Sequence, residues 1–242
     1  EGERADDFTL DPAEVERVLT EHRPHVVFLT SPNNPTGLVE PVERVRQLLD
    51  LAPGLVVVDE AYAQFADWSA LDLVGEDVPL VVTRTFSKTW SMAGARLGYL
   101  IGPSWLVAEL DKVVLPYHLD AVKQIAGRLA LRYSDDMNAR VEHIVAERSR
   151  IVDAMSELPL DVFPSGANFV LFRVRPGALS GRDVWQGLVD RSVLIRDCSS
   201  WPRLDDCLRV TIGTPDENTE FLTALADVLA AAPSTASTGV MS

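Results

Sequence analysis

The chain has 242 residues, 47% of them hydrophobic, which is enough for an ordinary buried core in one or two domains. Its 36 acidic and 22 basic side chains leave a net charge of −14, which repels nucleic acid and anionic membrane surfaces at long range, so neither is expected as a partner. No apolar run approaches the ~20 residues that span a bilayer, and the opening EGERADDF lacks the basic and apolar segments of a secretory signal, so a soluble, cytoplasmic protein is expected.

Asp11 followed by Pro12 reads as an N-cap with proline in the first turn, and Val15, Val18 and Leu19 put an apolar stripe on a helix ending near His22. HVVFLT, His25 to Thr30, is a near-continuous β-branched run of the kind found in parallel strands covered on both faces. It delivers SPNNPTG, Ser31 to Gly37, to the strand's C-terminal end, where ligands bind in open α/β sheets. Taken alone, that motif is an ordinary turn before a helix. Glu43 to Leu51 has the pattern of a short amphipathic helix, and LVVVDEAY follows as a second buried strand with Asp59 at its end. A lone strand-end carboxylate commonly caps a neighbouring helix, and Glu60 reads as structural. PLVVTRT is the third strand and ARLGYLIG the fourth, with Gly94 and Gly98 allowing close backbone approach. Strands separated by crossovers predict a mainly parallel sheet.

The third and fourth strands flank TRTFSKTWSMAGARLGYLIG, Thr83 to Gly102. A lysine becomes a covalent catalyst when its amine is held neutral and aimed at a carbonyl, and Lys88 sits in this loop among small and hydroxylated residues. Thr85, Ser87 and Arg96 around it have the makings of a phosphate clamp, two hydroxyls and a guanidinium able to satisfy several oxygens of a dianion. An imine-forming lysine beside a phosphate site suggests pyridoxal 5'-phosphate. The bland alternative is a solvated loop end followed by a turn into a strand.

Ser104 to Val114 is expected as a helix, broken near Pro116 and resumed from Leu119 to Tyr133. His118, in the break, reads as structural because Lys88 already supplies a base. A long helix follows, with Val141, Ile144, Val145, Ile151, Val152 and Met155 at helical spacing. LDVF and NFVLFRV then flank a turn at Pro164, Ser165 and Gly166; a helix from Arg182 to Arg191 leads to the strand VLIRD, Val193 to Asp197, and CLRVTIG closes a second sheet. TPDEN opens a last helix, Asp216 to Ala231, as a capping run. Cys198 and Cys207 lack metal-ligand spacing, so reduced thiols and no metal are expected.

In their order, SPNNPTG, VVVDEAY, the lysine loop and LRVTIGTP (Leu208 to Pro215) resemble the fold-type I aminotransferases, over nearly the whole chain from about residue 5 to 231. The resemblance implies a three-layer α/β large domain with a mainly parallel sheet over 1–134, including an interdomain helix, and a small C-terminal α/β domain over 135–232. The polar stretch 233–242 is expected to be a disordered tail. Family members carry a further segment before the point where this chain begins, without an initiator methionine, so an N-terminally truncated large domain is expected.

The same resemblance assigns roles residue by residue. Lys88 would hold the cofactor's aldehyde and act as general base and acid. Asp59 would keep the pyridine nitrogen protonated, while Asn34 and Tyr62 would serve the phenolic oxygen. Thr85, Ser87 and Arg96 would anchor the phosphate. Asn168 would lie near the substrate carboxylate, and Arg209 would pair with it. Arg196, in VLIRDCSS, resembles the arginine that binds substrate phosphate in the histidinol-phosphate aminotransferase branch; the competing reading is a surface ion pair with Asp197 or Asp205. The implied partners are a small amino donor, an oxo-acid acceptor and a second copy in a homodimer. An aromatic or broad aminotransferase and a threonine-phosphate decarboxylase share the scaffold. So does the sensing domain of some transcriptional regulators, which a winged helix upstream would reveal.

Overall fold

The computed structural model describes residues 2–231; the tail expected over 233–242 lies outside the described residues. The chain divides into two compact units, one running to His143 and including Ser165–Ala167, the other made of Ile144–Pro164 and the residues from Asn168 on.

In the first unit, α1 (Pro12–His22) begins as the sequence predicts, with the Asp11 side chain accepting from the Ala13 amide and proline in the first turn. Strands β1 (Val26–Thr30), β2 (Leu55–Asp59) and β3 (Leu80–Thr85) lie side by side in parallel, separated by α2 (Val42–Leu51) and by short 3-10 turns over Ala63–Phe65 and Ala70–Leu73. Val56, Val58, Leu80 and Val82 fill one face of β2 and β3 together with Val45 and Leu48 from α2, while Val57 and Val81 are buried on the other face. Burial on both faces is why these strands read as unbroken apolar runs.

One strand departs from expectation, and one is the antiparallel member of a sheet that is mainly parallel, as expected. β1 is an edge strand on which Phe28 is 76% exposed, so it is covered on one face only. β4 (Gly98–Ile101) pairs with β3 antiparallel, because the chain returns through the loop 86–97 with no crossover helix to carry it back to the starting end. Gly98 fits there because a side chain at that position would meet the Arg84 carbonyl at 2.9 Å. Helix α3 (Ser104–Asp111) is shorter than the predicted Ser104 to Val114, since the β-branched Val113 and Val114 follow in turns. Helix α4 (Ala121–Ala130) starts two residues later than predicted, where the Asp120 side chain accepts from the Lys123 amide, and α5 (Ser134–Ser156) follows.

The second unit holds an antiparallel sheet in the order β5 (Leu160–Val162), β6 (Phe169–Val174), β8 (Cys207–Thr211), β7 (Arg196–Asp197). Its core joins Phe172, Leu208 and Val170 of the sheet to Ile151 and Met155 of α5, Val184 and Leu188 of α6 (Gly181–Val189), and Phe221 and Leu225 of α7 (Pro215–Ala230). β7 is two residues long where Val193 to Asp197 was expected. The reason lies in α6, which takes up the preceding backbone: the Val193 amide donates to Leu188 O and the Trp185 indole to Ile195 O. The last helix is capped as the sequence predicts, by a box between Thr214 and Glu217. Cys198 and Cys207 are free and buried, and burial pushes both thiols up from their ordinary pKa.

Candidate active site

The C-terminal ends of β1, β2 and β3 lie side by side, Thr30 opposite Asp59 and Asp59 opposite Thr83. At ~4.8 Å between neighbouring strands, the three ends span roughly 10 Å. Each end releases one of the motif loops.

SPNNPTG leaves β1 and is closed on itself, with the Asn33 amide donating to Leu38 O and the Gly37 amide to Asn33 O, both at 2.7 Å. The Thr36 hydroxyl donates to Asn33 Oδ1 at 2.9 Å, so Asn33 is used inside the loop while Asn34 is exposed at its surface. The Ser31 amide donates to Asp59 O at 3.0 Å and ties the loop to the end of β2. Gly37 has φ +81°, and a side chain there would also stand 2.4 Å from Ser165 Oγ, so no other residue fits.

Asp59 is exposed at the end of β2, and its carboxylate accepts only a local bond from the Ala61 amide, 3.0 Å, among the described residues. Tyr62 is buried, and the Lys88 amine lies 5.0 Å from the centre of its ring. Among the described residues no ion pair ties up the Lys88 amine, and the side chain is exposed. Thr85 Oγ1 and Ser87 Oγ are 2.9 Å apart, and the Ser87 amide donates to the Thr85 hydroxyl, so two hydroxyls converge three residues before and directly before the lysine. Arg96 follows the 3-10 turn Ala93–Ala95 in a left-handed conformation, φ 51°, and its exposed guanidinium donates to Ala93 O at 3.2 Å. This donor set, an amine, two hydroxyls, a guanidinium and an accessible carboxylate on adjacent strand ends, fits the chemistry of a phosphorylated pyridine aldehyde. Among the described residues no group of three or more His, Cys, Asp or Glu side chains could hold a metal ion.

The residues assigned to substrate lie in the second unit. Arg196 and Arg209 are directly opposite each other on β7 and β8. Like charges opposite each other across a sheet destabilise it unless an anion or another partner offsets them. Asp197 pairs with Arg182 at 3.3 Å, and neither Asp197 nor Asp205 forms an ion pair with Arg196 among the described residues. The Arg209 guanidinium lies over the Phe169 ring at 4.7 Å. Next to Phe169, half-buried Asn168 accepts from the Ile212 amide through its backbone. His118 is exposed, with Nδ1 3.1 Å from the carbonyl of Leu115 in its own turn.

Glu60 was read as structural, and what escaped the sequence reading is the set of partners that hold it. Glu60, at 2% exposure, is bound by Arg84, Ser69 and the Ala70 amide. The available signal was Arg84 itself, a charge inside LVVTRT; that it lies level with Glu60 follows only from the register of β2 and β3.

The model of the family described as aminotransferase class I and II matches residues 2–225. The histidinol-phosphate aminotransferase of Mycobacterium avium strain 104 is 46% identical over 229 residues, which cover 94% of this chain and 56% of that protein. The chain therefore spans little more than half the length of that relative. The crystal structure of histidinol-phosphate aminotransferase from Clostridium acetobutylicum superposes with a TM-score of 0.86 at 24% identity, covering 95% of this chain and 70% of that one. The enzyme of that name from Sinorhizobium meliloti, in complex with pyridoxal-5'-phosphate, gives 0.80 at 26% identity, covering 94% of this chain and 63% of that one.

Proposed function

The chain belongs to the aminotransferase class I and II family, and from that premise we propose that it is the catalytic part of a pyridoxal-phosphate-dependent histidinol-phosphate aminotransferase. The reaction moves an amino group from histidinol phosphate to 2-oxoglutarate, giving imidazole acetol phosphate and glutamate, in histidine biosynthesis. The observation that carries this reading is the meeting, at the ends of β2 and β3, of Lys88 over Tyr62 with the Thr85–Ser87 hydroxyl pair and accessible Asp59.

Pyridoxal phosphate, when bound, supplies a carbonyl that takes up amines and a conjugated ring that withdraws electrons. Lys88 would hold its carbonyl carbon and, as general base and acid, would move the proton from the substrate α-carbon to that carbon. Asp59 holds the proton of the pyridine nitrogen through charge. Asn34 and Tyr62 serve the phenolic oxygen, and Thr85, Ser87 and Arg96 hold the phosphate. Arg209 and Asn168 take the carboxylate of glutamate or 2-oxoglutarate, and Arg196 takes the phosphate of histidinol phosphate.

The pairing of Arg196 with Arg209 rather than with an acidic neighbour supports a phosphorylated substrate over an aromatic amino acid. The protein acts in the cytoplasm as a homodimer; the exposed stripe Val122, Ile125 and Leu129 on α4 supports self-association, and no described helix is long and apolar enough to cross a membrane. Borohydride reduction of the protein with bound cofactor, followed by peptide mapping, tests the central assignment. Label is expected on Lys88; label on Lys112 or Lys123, the other two lysines, overturns it.

A further inference from the structure

Glu60 and Arg84 are the buried charges at these strand ends that the proposed reaction does not use. Arg84 Nη2 lies 2.8 Å and Nε 3.1 Å from Glu60 Oε2, with side-chain exposures of 15% and 2%. Ser69 Oγ stands 2.9 and 2.8 Å from the two carboxylate oxygens, Ala70 N donates to Oε1 at 2.6 Å, and Arg84 Nη2 reaches Ser69 Oγ at 2.8 Å. A buried ion pair adds little net stability, because desolvation offsets the Coulomb attraction. What a fully hydrogen-bonded one does supply is a single permitted arrangement, since every donor is satisfied in only one geometry.

Side chains alternate across a sheet, so Glu60 and Arg84 point away from the face shared by Asp59, Thr83 and Thr85. Each is the chain neighbour of a residue assigned to the cofactor. The ends of β2 and β3 are thus joined twice, by the Glu60 amide donating to Thr83 O at 2.9 Å and by the ion pair on the far face. Glu60 also closes the loop that carries Tyr62, because its carboxylate holds Ser69 and Ala70 at the loop's other end.

Resting on the cofactor reading above, we propose that Glu60, Arg84 and Ser69 form the positioning cluster of the site, a buried bridge that fixes Asp59, Tyr62 and the Lys88 loop relative to one another. The decisive variant combines Glu60→Gln with Arg84→Met. It keeps an acceptor for the Ala70 amide and a donor for Ser69, removes both charges together, and cuts only the bridge from β2 to β3. The cofactor-free protein should melt within a few degrees of wild type. Its affinity for pyridoxal phosphate should fall roughly tenfold, the scale on which lost supporting contacts around a bound group act, and the circular dichroism of the bound cofactor's visible band should shrink. Should that variant not fold, Arg84→Lys retains the charge without the forked grip and should weaken binding several-fold with the same loss of dichroism. Wild-type affinity and dichroism in either folded variant overturn the proposal. A wild-type protein that binds no pyridoxal phosphate fails earlier and takes the functional reading with it.

Discussion

Asp59 and Glu60 are chemically near-identical neighbours with opposite surroundings, one exposed on a single local bond, the other sealed against an arginine. Alternation across the strand produces that split, and it separates a carboxylate free to meet a ligand from one committed to the fold. The arginines divide in the same way: Arg84 is held by Glu60, whereas Arg196 faces Arg209 across the sheet. A phosphate beside a guanidinium gains charge-assisted bonds worth about 1.5–3 kcal/mol where solvent is largely excluded, on the order of tenfold to a hundredfold in binding. Arg196 is exposed on β7, which puts it at the weak end of that range, so Arg196→Ala is expected to weaken use of histidinol phosphate about tenfold while sparing the glutamate half-reaction, for which the proposed reading uses Arg209. Steady-state kinetics on the two half-reactions checks this; equal losses in both, or a wild-type preference for phenylalanine, would move the substrate to the aromatic class. The closeness of Lys88, Thr85 and Ser87 was legible in the sequence because they lie within four consecutive residues at the end of β3. The Glu60–Arg84 bridge was not, because it joins residues brought together only by strand register.

At the level of elements, the helices with local signals are placed as the sequence predicts. Asp11 with Pro12 and Thr214 with Glu217 set helix starts through bonds between near neighbours, so nothing distant has to be known. Thr214→Ala removes a side chain that caps α7 at its amide end, and a loss of about 1 kcal/mol is expected, read as a lowered denaturation midpoint with an unchanged denaturant slope. A change in slope instead would mean that α7 frays in the native state. The strands were misjudged where tertiary pairing decides. Val193 and Ile195 have strand composition, yet their backbone bonds go to α6 residues, which leaves β7 two residues long. β4 follows β3 without a crossover, so its direction depends on the lysine loop rather than on any pattern in ARLGYLIG.

For the molecule as a whole, the two units have separate apolar cores. Val45, Val56, Val58, Leu80 and Val82 centre one, and Ile151, Phe172, Leu188, Leu208 and Leu225 the other. All seven residues assigned to the cofactor, Asn34, Asp59, Tyr62, Thr85, Ser87, Lys88 and Arg96, belong to the first unit. A ligand that binds only the native form stabilises by RT ln(1 + [L]/Kd), about 2.7 kcal/mol at a hundredfold excess over Kd, and it stabilises what it binds. Calorimetry with increasing pyridoxal phosphate is therefore expected to raise one transition by several degrees and leave the other in place. Hydrogen exchange assigns them: protection should rise with cofactor at the amides of β2 and β3 and stay constant at those of β6 and β8. A single transition that moves as one, with protection rising equally in both sheets, would show that the two cores unfold together and that the cofactor residues in the first unit govern the stability of the second.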